Sequence, residues 1–239
     1  MRFSQPLKAI VLATLLTSVN SAFALDVNDK AEIEKVIEEY VMEHPDLILR
    51  AIKKLEEQEY LQVENARAKI ASDLINDKSI PSLGKDEAEH YIIEFYDYNC
   101  GYCKVMEPLF KRALDEYDLK VVYVNIPVVK EESKQLALLG QAIYNLDKEK
   151  YFKFHEHYMQ AGRIPSTKAD IEKVLSDIGL DYKVVDEELK SGKAAAIINS
   201  NIQKSMQLKV AGTPYLIIDG KEYRGAITSF DALAQILGK

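Results

Sequence analysis

The only two cysteines of the chain, Cys100 and Cys103, are separated by two residues and lie between a predicted strand and a predicted helix. A thiol at the start of a helix meets free backbone N–H groups and the positive end of the helix dipole, and both favour the thiolate. The thiolate is the nucleophile of disulfide exchange, and a cysteine one turn later can attack the mixed disulfide that forms. The spacing therefore predicts a redox pair in which Cys100 attacks and Cys103 resolves.

Besides disulfide exchange, a cysteine pair of this kind can bind a metal ion or form a structural disulfide. Structural zinc needs about four ligands, and the sequence offers no further cysteine; His155 and His157 point to nearly opposite sides of a helix, which favours packing and surface roles. An inert disulfide would close a loop too short to add much stability. Two soft thiolates can hold Cu(I), so a copper-relay protein stays open, as does a holdase in which the pair is incidental. The sequence predicts no cofactor and no metal site.

The elements around this pair alternate between strands and helices. A β-branched and aromatic strand precedes the pair, a helix follows, and the next strand has the spacing of a parallel crossover. A long helical stretch and a hairpin marked by Gly220-Lys221 come next, and a helix closes the chain. The pattern predicts an α/β protein of order βαβ–ββα, with strands over 90–97, 119–126, 215–219 and 222–225 and helices over 103–117, 133–207 and 229–237.

Residues 94–103, together with Gly212-Thr213-Pro214, resemble DsbA-like members of the thioredoxin superfamily over about residues 89–239. This resemblance implies a thioredoxin fold over 87–239 with a helical insertion over about 132–207. It implies that Pro214 is cis and lies beside the cysteines, which leaves the backbone of Thr213 free to pair with an extended peptide. It also implies that Glu94 is a buried acid that relays the proton of Cys103. The alternative for Glu94, an edge carboxylate facing water, stays open.

The two residues between the cysteines, Gly101 and Tyr102, differ from the Pro-His pair of DsbA. Strong oxidising power is therefore not implied by the resemblance. A Gly-Tyr pair with a Thr-Pro loop is closer to the isomerase DsbC, so the sequence predicts isomerisation, introduction of disulfides, or both.

The first 24 residues have the features of a secretory signal peptide. Arg2 and Lys8 accompany an apolar run over 9–19, and Ala22-Phe23-Ala24 supplies small residues at the positions required for cleavage after Ala24. Because the mature sequence contains no early cysteine, we expect no lipid anchor. The protein is expected in the periplasm, where disulfides can form.

Residues 25–86 are predicted to be a separate helical segment. Apolar side chains at Ile33, Val36, Ile37, Tyr40 and Val41 recur at helical spacing, His44-Pro45 interrupts the helix, and a second stripe contains Ile48, Ile52 and Leu55. A linker is predicted over 76–86. The segment resembles the amino-terminal extension of the suppressor of copper sensitivity protein C (ScsC) and its relatives. This resemblance implies a homodimer or homotrimer formed through residues 25–80, while docking within one chain stays open.

The net charge of −7 argues against nucleic acid as a partner, because phosphate binding needs a basic surface. The expected partners are unfolded or misoxidised exported proteins and a DsbB- or DsbD-like membrane protein that recycles the cysteines. The sequence thus predicts an exported thiol–disulfide oxidoreductase, with a Cu(I)-binding relay or a monomeric DsbA-type oxidase as the alternatives.

Overall fold

The computed structural model describes residues 27–162, 164 and 167–238. The chain forms two compact units, and the boundary lies between Glu57 and Gln58. The signal peptide predicted over residues 1–24 lies outside the described residues. Within the described ranges, no helix has the length and apolar character needed to cross a membrane.

Two helices begin the described chain: α1 spans Val27–Glu43 and α2 spans Asp46–Asn76. The predicted break at His44-Pro45 is confirmed. The apolar stripes of the first unit lie on the surface of the single chain, with large side chains 43–64% exposed at Ile33, Val36, Ile37, Tyr40, Ile48, Ile52 and Leu55. Apolar side chains in such a row lose contact with water only by packing against another surface.

The second unit is built around a five-stranded sheet in the order β1-β3-β2-β4-β5. The central strands β2 and β3 are parallel, as predicted, and every other pairing is antiparallel. The predicted βαβ–ββα arrangement is confirmed, and an additional short strand precedes it. The strands are β1 (Ser82–Gly84), β2 (His90–Tyr96), β3 (Leu119–Asn125), β4 (Tyr215–Ile218) and β5 (Lys221–Arg224).

One helix connects the two parallel strands, and the described residues between β3 and β4 form five helices where the insertion was predicted. This insertion contributes aromatic side chains, including Tyr151, Phe154 and Tyr158, to the core on one face of the sheet. A final helix follows β5. The helices are α3 (Gly101–Glu116), α4 (Ser133–Leu146), α5 (Lys148–Gln160), α6 (Lys168–Asp177), α7 (Tyr182–Lys190), α8 (Lys193–Gln207) and α9 (Phe230–Ile236).

The other face of the sheet is covered by the end of α2. Ile70, Ala71 and Leu74 are buried there together with Ile80, in a cluster that includes side chains of β2, β3 and β4. The second compact unit therefore begins at Gln58, well before the predicted boundary near residue 86. This apolar group is short and stands among charged residues, so its periodicity alone did not indicate docking within the chain.

The predicted linker over 76–86 contains β1, which pairs with β3 at one edge of the sheet. Gly84 has a φ of +91°, and a Cβ there would lie 2.0 Å from the carbonyl oxygen of Leu119, so only glycine fits. At the opposite edge, β5 presents Lys221, Glu222 and Arg224. Both edge strands are short: three residues in β1 and four in β5.

Candidate redox site

The two cysteines lie at the amino-terminal end of α3. Cys100 is the N-cap residue, and no side chain caps the helix there, so the backbone N–H groups of the first turn face the Cys100 sulfur. Cys103 lies one turn further and is fully buried, whereas Cys100 is 7% exposed. Both are free thiols in this structure. The start of α3 thus holds the Cys100 sulfur close to the surface and the Cys103 sulfur beneath it.

The surroundings of Cys100 favour its thiolate. A hydrogen bond from the Cys103 thiol is the largest cause, and the Thr213 hydroxyl and the backbone N–H groups of Tyr102 and Cys103 add to it. Against the opposing effect of burial, these donors lower the pKa of Cys100 from 9.0 to about 5. Most of the Cys100 side chains are therefore ionised at neutral pH.

Cys103 has the opposite behaviour. Its hydrogen bond to Cys100 raises the pKa of Cys103, and burial and the negative charge of Glu94 raise it further. The same geometry thus gives one thiol that is ready to attack and one that keeps its proton until a base removes it. This division of roles is what the helix-start argument predicts.

The loop containing Pro214 lies directly against the cysteines. The Thr213–Pro214 peptide bond is cis, as predicted. The Cys100 thiol donates a hydrogen bond to the backbone carbonyl of Thr213, with 3.2 Å between sulfur and oxygen. The Thr213 hydroxyl is buried and has no other partner in the described part of the chain, which leaves it available to a Cys100 thiolate. The structure therefore brings Cys100, Cys103, Thr213 and Pro214 into one site.

Glu94 lies on β2, with its side chain fully buried on the face of the sheet that α3 covers. The predicted buried position is confirmed, and the alternative of an edge carboxylate is excluded. Neither carboxyl oxygen has a hydrogen-bond partner among the described residues. Burial raises the pKa of Glu94 well above its usual range, the charge of Glu107 raises it further, and the nearby Cys103 thiol offsets part of the rise. A carboxyl in this environment can hold a proton at neutral pH.

The residues between the cysteines have different surroundings. A Cβ at Gly101 would meet nothing within 4 Å, so the fold does not require glycine there. Tyr102 is 65% exposed, so its ring is available to a bound partner.

Asp97 was not predicted to have a role, and the structure places it at the base of the site. One carboxylate oxygen accepts hydrogen bonds from the backbone of Asn99 and from Ser133, each at 2.8 Å. The other accepts from the backbone N–H groups of Val128 and Val129, each at 2.9 Å. The four donors fasten the turn before Cys100 to the loop that leads into α4. A charged residue at the end of a buried strand was the available sequence signal.

A second polar cluster lies between α3 and α5. The buried side chains of Glu107 and His155 contact each other, with 3.3 Å between Oε2 and Nε2. The Nδ1 atom of His155 lies 3.3 Å from the Tyr98 hydroxyl and 3.5 Å from that of Tyr151. Sequence reasoning assigned His155 to packing, and no spacing relation connects it with Glu107, which is 48 residues away.

The cysteine pair at a helix start, the cis proline opposite and the buried acid beneath together define a thioredoxin-like thiol–disulfide site. The sequence model of the DSBA-like thioredoxin domain matches residues 91–238, and that of the copper resistance protein ScsC N-terminal domain matches residues 29–62. The chain belongs to the DsbA-like family of thiol–disulfide oxidoreductases, and an ScsC-type amino-terminal domain precedes its thioredoxin domain.

Individual relatives agree with this assignment. The chain is 25% identical over 174 residues to the disulfide bond formation protein D of Bacillus subtilis, covering 68% of this chain and 77% of that protein. A probable disulfide bond formation protein D of Bacillus anthracis is also 25% identical, over 169 residues that cover 66% of this chain and 76% of the relative.

Solved structures have the same fold. The catalytic domain of Proteus mirabilis ScsC matches with a TM-score of 0.65 and 25% identity, covering 73% of this chain and 96% of that one. The thiol-disulfide exchange protein alpha-DsbA2 from Wolbachia pipientis matches with a TM-score of 0.64 and 28% identity, covering 73% and 95%. The thioredoxin-like fold is thus that of DsbA- and ScsC-type proteins, and the match of residues 29–62 assigns the helical segment before it to the ScsC type.

Proposed function

We propose that this protein is an exported thiol–disulfide oxidoreductase that isomerises disulfides in client proteins, introduces them, or does both. The observation that carries the proposal is the opposite environment of the two thiols, which lowers the pKa of Cys100 and raises that of Cys103. Residues 1–24 serve as a signal peptide, residues from 25 to about 57 as an assembly segment, and the rest as the catalytic domain. The protein works in the periplasm, and a DsbB- or DsbD-like membrane protein resets its cysteines.

In the proposed mechanism, the Cys100 thiolate attacks a client disulfide and forms a mixed disulfide, and one client sulfur leaves as a thiolate. Isomerisation follows when another client thiolate attacks the client sulfur of this bond and releases Cys100, with no net oxidation. Alternatively, Cys103 gives its proton to Glu94 and attacks the Cys100 sulfur. That step releases the second client thiolate, so the client gains two electrons and the Cys100–Cys103 pair loses them. Introduction of a disulfide is the reverse sequence.

The backbone at Thr213 suits an extended client. Its carbonyl accepts a hydrogen bond from Cys100 only while Cys100 is a thiol. Once Cys100 is ionised, that carbonyl is free to accept a backbone N–H from a peptide lying along the loop. Deprotonation of the nucleophile and exposure of a peptide-binding group therefore occur together in this proposal.

Two cysteine variants test the assignment of roles. Cys103→Ala should accumulate mixed disulfides with a scrambled, disulfide-bonded substrate protein, because the resolving thiol is missing. Cys100→Ala should form none, because Cys103 is buried and protonated. Non-reducing electrophoresis followed by mass spectrometry identifies the adducts. Trapping through Cys103 in the Cys100→Ala protein would contradict the proposal.

We further propose that the predicted segment 25–80 assembles the protein into a dimer or trimer through its part before Gln58, because the buried side chains near its end pack against the sheet of the same chain. The exposed stripes on α1 and α2 support this, since identical copies can cover the same patch on one another. Several redox sites around one client would raise the effective concentration of Cys100, which repeated cycles of isomerisation need.

Charged substitutions on the stripe test this assembly in the full chain. Val36→Glu with Ile37→Glu should yield a monomer by light scattering and reduce refolding of a scrambled substrate, while exchange with a small disulfide is retained. Met42→Glu is the matched control, because Met42 is 76% exposed and lies away from the stripe. An unaltered protein that is already monomeric would refute the assembly. If the monomeric variant refolds the scrambled substrate as well as the unaltered protein does, assembly is not needed for isomerisation.

A Cu(I)-binding relay is the second candidate, favoured by the match of residues 29–62 to the amino-terminal domain of a copper resistance protein. Two thiolates can satisfy Cu(I), and both thiols here are free. Titration of the reduced protein with Cu(I) against a competing chelator measures the affinity. Tight binding that is lost in Cys100→Ser, without any activity on scrambled substrates, would favour the relay over the oxidoreductase.

A further inference from the structure

One buried acid on α3, the helix that carries the two cysteines, has no part in the mechanism above. Glu107 follows Cys103 by four residues on α3, so the two side chains lie one above the other on the buried face. Glu107 is 4% exposed and His155, from α5, is 1% exposed. Their contact at 3.3 Å joins the redox helix to the inserted helices.

His155 holds Glu107 in a defined position. Its Nε2 can donate to the Glu107 carboxylate, while Nδ1 accepts from the Tyr98 or Tyr151 hydroxyl. Rings pack around the imidazole, with centroids 4.7 Å from Tyr123 and 5.2 Å from Tyr96. A side chain so surrounded cannot turn away from the carboxylate it contacts.

Glu94 is within electrostatic reach of Glu107, and the Cys103 thiol, which interacts with its carboxyl group, favours its charged form. The negative charge of Glu107 disfavours a second negative charge on Glu94, and this raises the pKa of Glu94 beyond the effect of burial. The titratable and charged groups around the two acids come from four elements and one loop. They are Cys103, Lys104 and Lys111 from α3, Tyr123 from β3, Tyr96 from β2, Tyr151 and His155 from α5, and Tyr98 and Cys100 from the loop between β2 and α3.

Glu107 also reaches solvent, which Glu94 does not. It lines a surface cleft of about 420 Å³ between α3 and the end of α5, together with Lys104, Lys111 and Met159. Lys104 is held by the carbonyl of Ala161, and Lys111 forms an ion pair with Glu156. Both lysines that line the cleft therefore have partners other than Glu107.

We propose that Glu107, held by His155, is a positioning acid that governs when Glu94 can take the proton of Cys103, and so sets the pH range in which mixed disulfides are resolved. The inference rests on the proposed oxidoreductase function. In the step concerned, the Cys103 proton moves to the Glu94 carboxylate as the Cys103 sulfur bonds to Cys100 and the client thiolate leaves. Glu107 exchanges no atoms in this step; its charge determines how readily Glu94 accepts the proton.

The reaction of the reduced full-length protein with oxidised glutathione separates the two steps. A first phase joins Cys100 to glutathione, and a second releases it by attack of Cys103. Stopped-flow measurement with acid quench and mass spectrometry gives both rates between pH 4 and 9. Glu107→Gln should move the acid-side midpoint of the second phase down by about one pH unit, since nearby buried charges shift each other's pKa by about one to three units. The first phase should change less than twofold.

Three comparisons make the result decisive. In a Glu94→Gln background, adding Glu107→Gln should leave the second phase unchanged, because Glu107 acts through Glu94. His155→Gln should also move the midpoint, and it provides an independent variant if Glu107→Gln does not fold. The control is Asp115→Asn, which removes an exposed acid from the same helix and should have no effect.

Different failures have different meanings. Absence of the first phase in the unaltered protein would refute the proposed function itself. Two normal phases whose second midpoint is the same in unaltered protein, Glu107→Gln and His155→Gln would overturn only the role of Glu107. A shift of equal size in Asp115→Asn would also overturn it, because the effect would then be that of overall charge.

Discussion

The donors around Cys100 make its ionisation a quantitative test of the site. The Cys103 thiol is the largest contributor to the low pKa of Cys100, which is about 5. A hydrogen bond to a charged group contributes about 1.5–3 kcal/mol, and one pKa unit corresponds to about 1.36 kcal/mol. Cys103→Ala should therefore raise the midpoint of Cys100 by about one to two pH units. Cys103→Ser retains an O–H donor and should stay close to the unaltered protein.

Reactivity follows from the same numbers. At pH 5 about half of Cys100 is ionised, against about one in ten thousand for a thiol with a pKa of 9.0. Nucleophilicity falls as the pKa falls, by about 40- to 100-fold over four units. Alkylation of Cys100 should then be roughly 100-fold faster than that of an ordinary thiol at pH 5 and nearly equal to it at pH 7. At neutral pH the low pKa chiefly makes Cys100 a better leaving group.

Two measurements check this reasoning. The thiolate absorbance at 240 nm should titrate with a midpoint near 5 in the reduced protein, and iodoacetamide should modify Cys100 at rates that level off above pH 6. Cys100→Ser is the spectroscopic control, because it removes the absorbing group. A midpoint above 8, or the same midpoint in Cys103→Ala and in the unaltered protein, would refute the assignment of Cys103 as the main donor.

Three further predictions concern stability. Asp97→Asn should lower the free energy of unfolding in urea by about 2–4 kcal/mol, because the amide nitrogen would face backbone donors, whereas Asp115→Asn should change it by less than about 0.5 kcal/mol. A chain beginning at Gln58 should unfold cooperatively in urea. One beginning at Asp86 lacks strand β1 and the side chains of Ile70, Leu74 and Ile80; at about 2–5 kcal/mol for each side chain, the loss is on the order of the whole stability of a domain, so it should show no cooperative urea transition. Folding lowers the pKa of Cys100 from 9.0 to about 5, so the ionised thiol stabilises the reduced protein. The stability of the reduced protein relative to the oxidised protein should therefore rise from pH 5 to pH 9 and be lost as the pH falls through 5. Thermal unfolding of both forms checks this, and a difference in melting temperature that is the same at every pH would contradict it.

The redox pair, the cis proline and buried Glu94 were predictable because each depends on a short motif. The two-residue spacing of Cys100 and Cys103 predicts their relative positions on a helix. The strand before them is long enough to be identified from its β-branched and aromatic residues. The Gly-Thr-Pro sequence, more than a hundred residues later, was placed beside them through the resemblance to DsbA-like proteins. The break at His44-Pro45 followed from the stereochemistry of proline alone.

The features that were missed depend on contacts between distant residues. β1 contains only three residues, too few to show any alternation, and its pairing with β3 requires the close approach at Gly84. Ile70 and Leu74 pack against the second face of the sheet, and the sequence does not show that this face is apolar and must be buried by another element. The contact of Glu107 with His155 arises because the insertion folds back over α3, and no local pattern predicts that.

Under the proposed function, in which the clients are unfolded or misoxidised proteins, the short edges of the sheet have a consequence. An exposed strand edge has unpaired N–H and C=O groups, and an extended segment of another chain can form hydrogen bonds with them. Unfolded chains aggregate with folded ones in this way. Here β1 ends at a left-handed glycine after three residues, and β5 presents opposite charges over four. Neither offers a long, flat ladder. Extended client segments would therefore find little strand edge to pair with, which leaves the loop beside Cys100 as the place where the proposal expects backbone pairing.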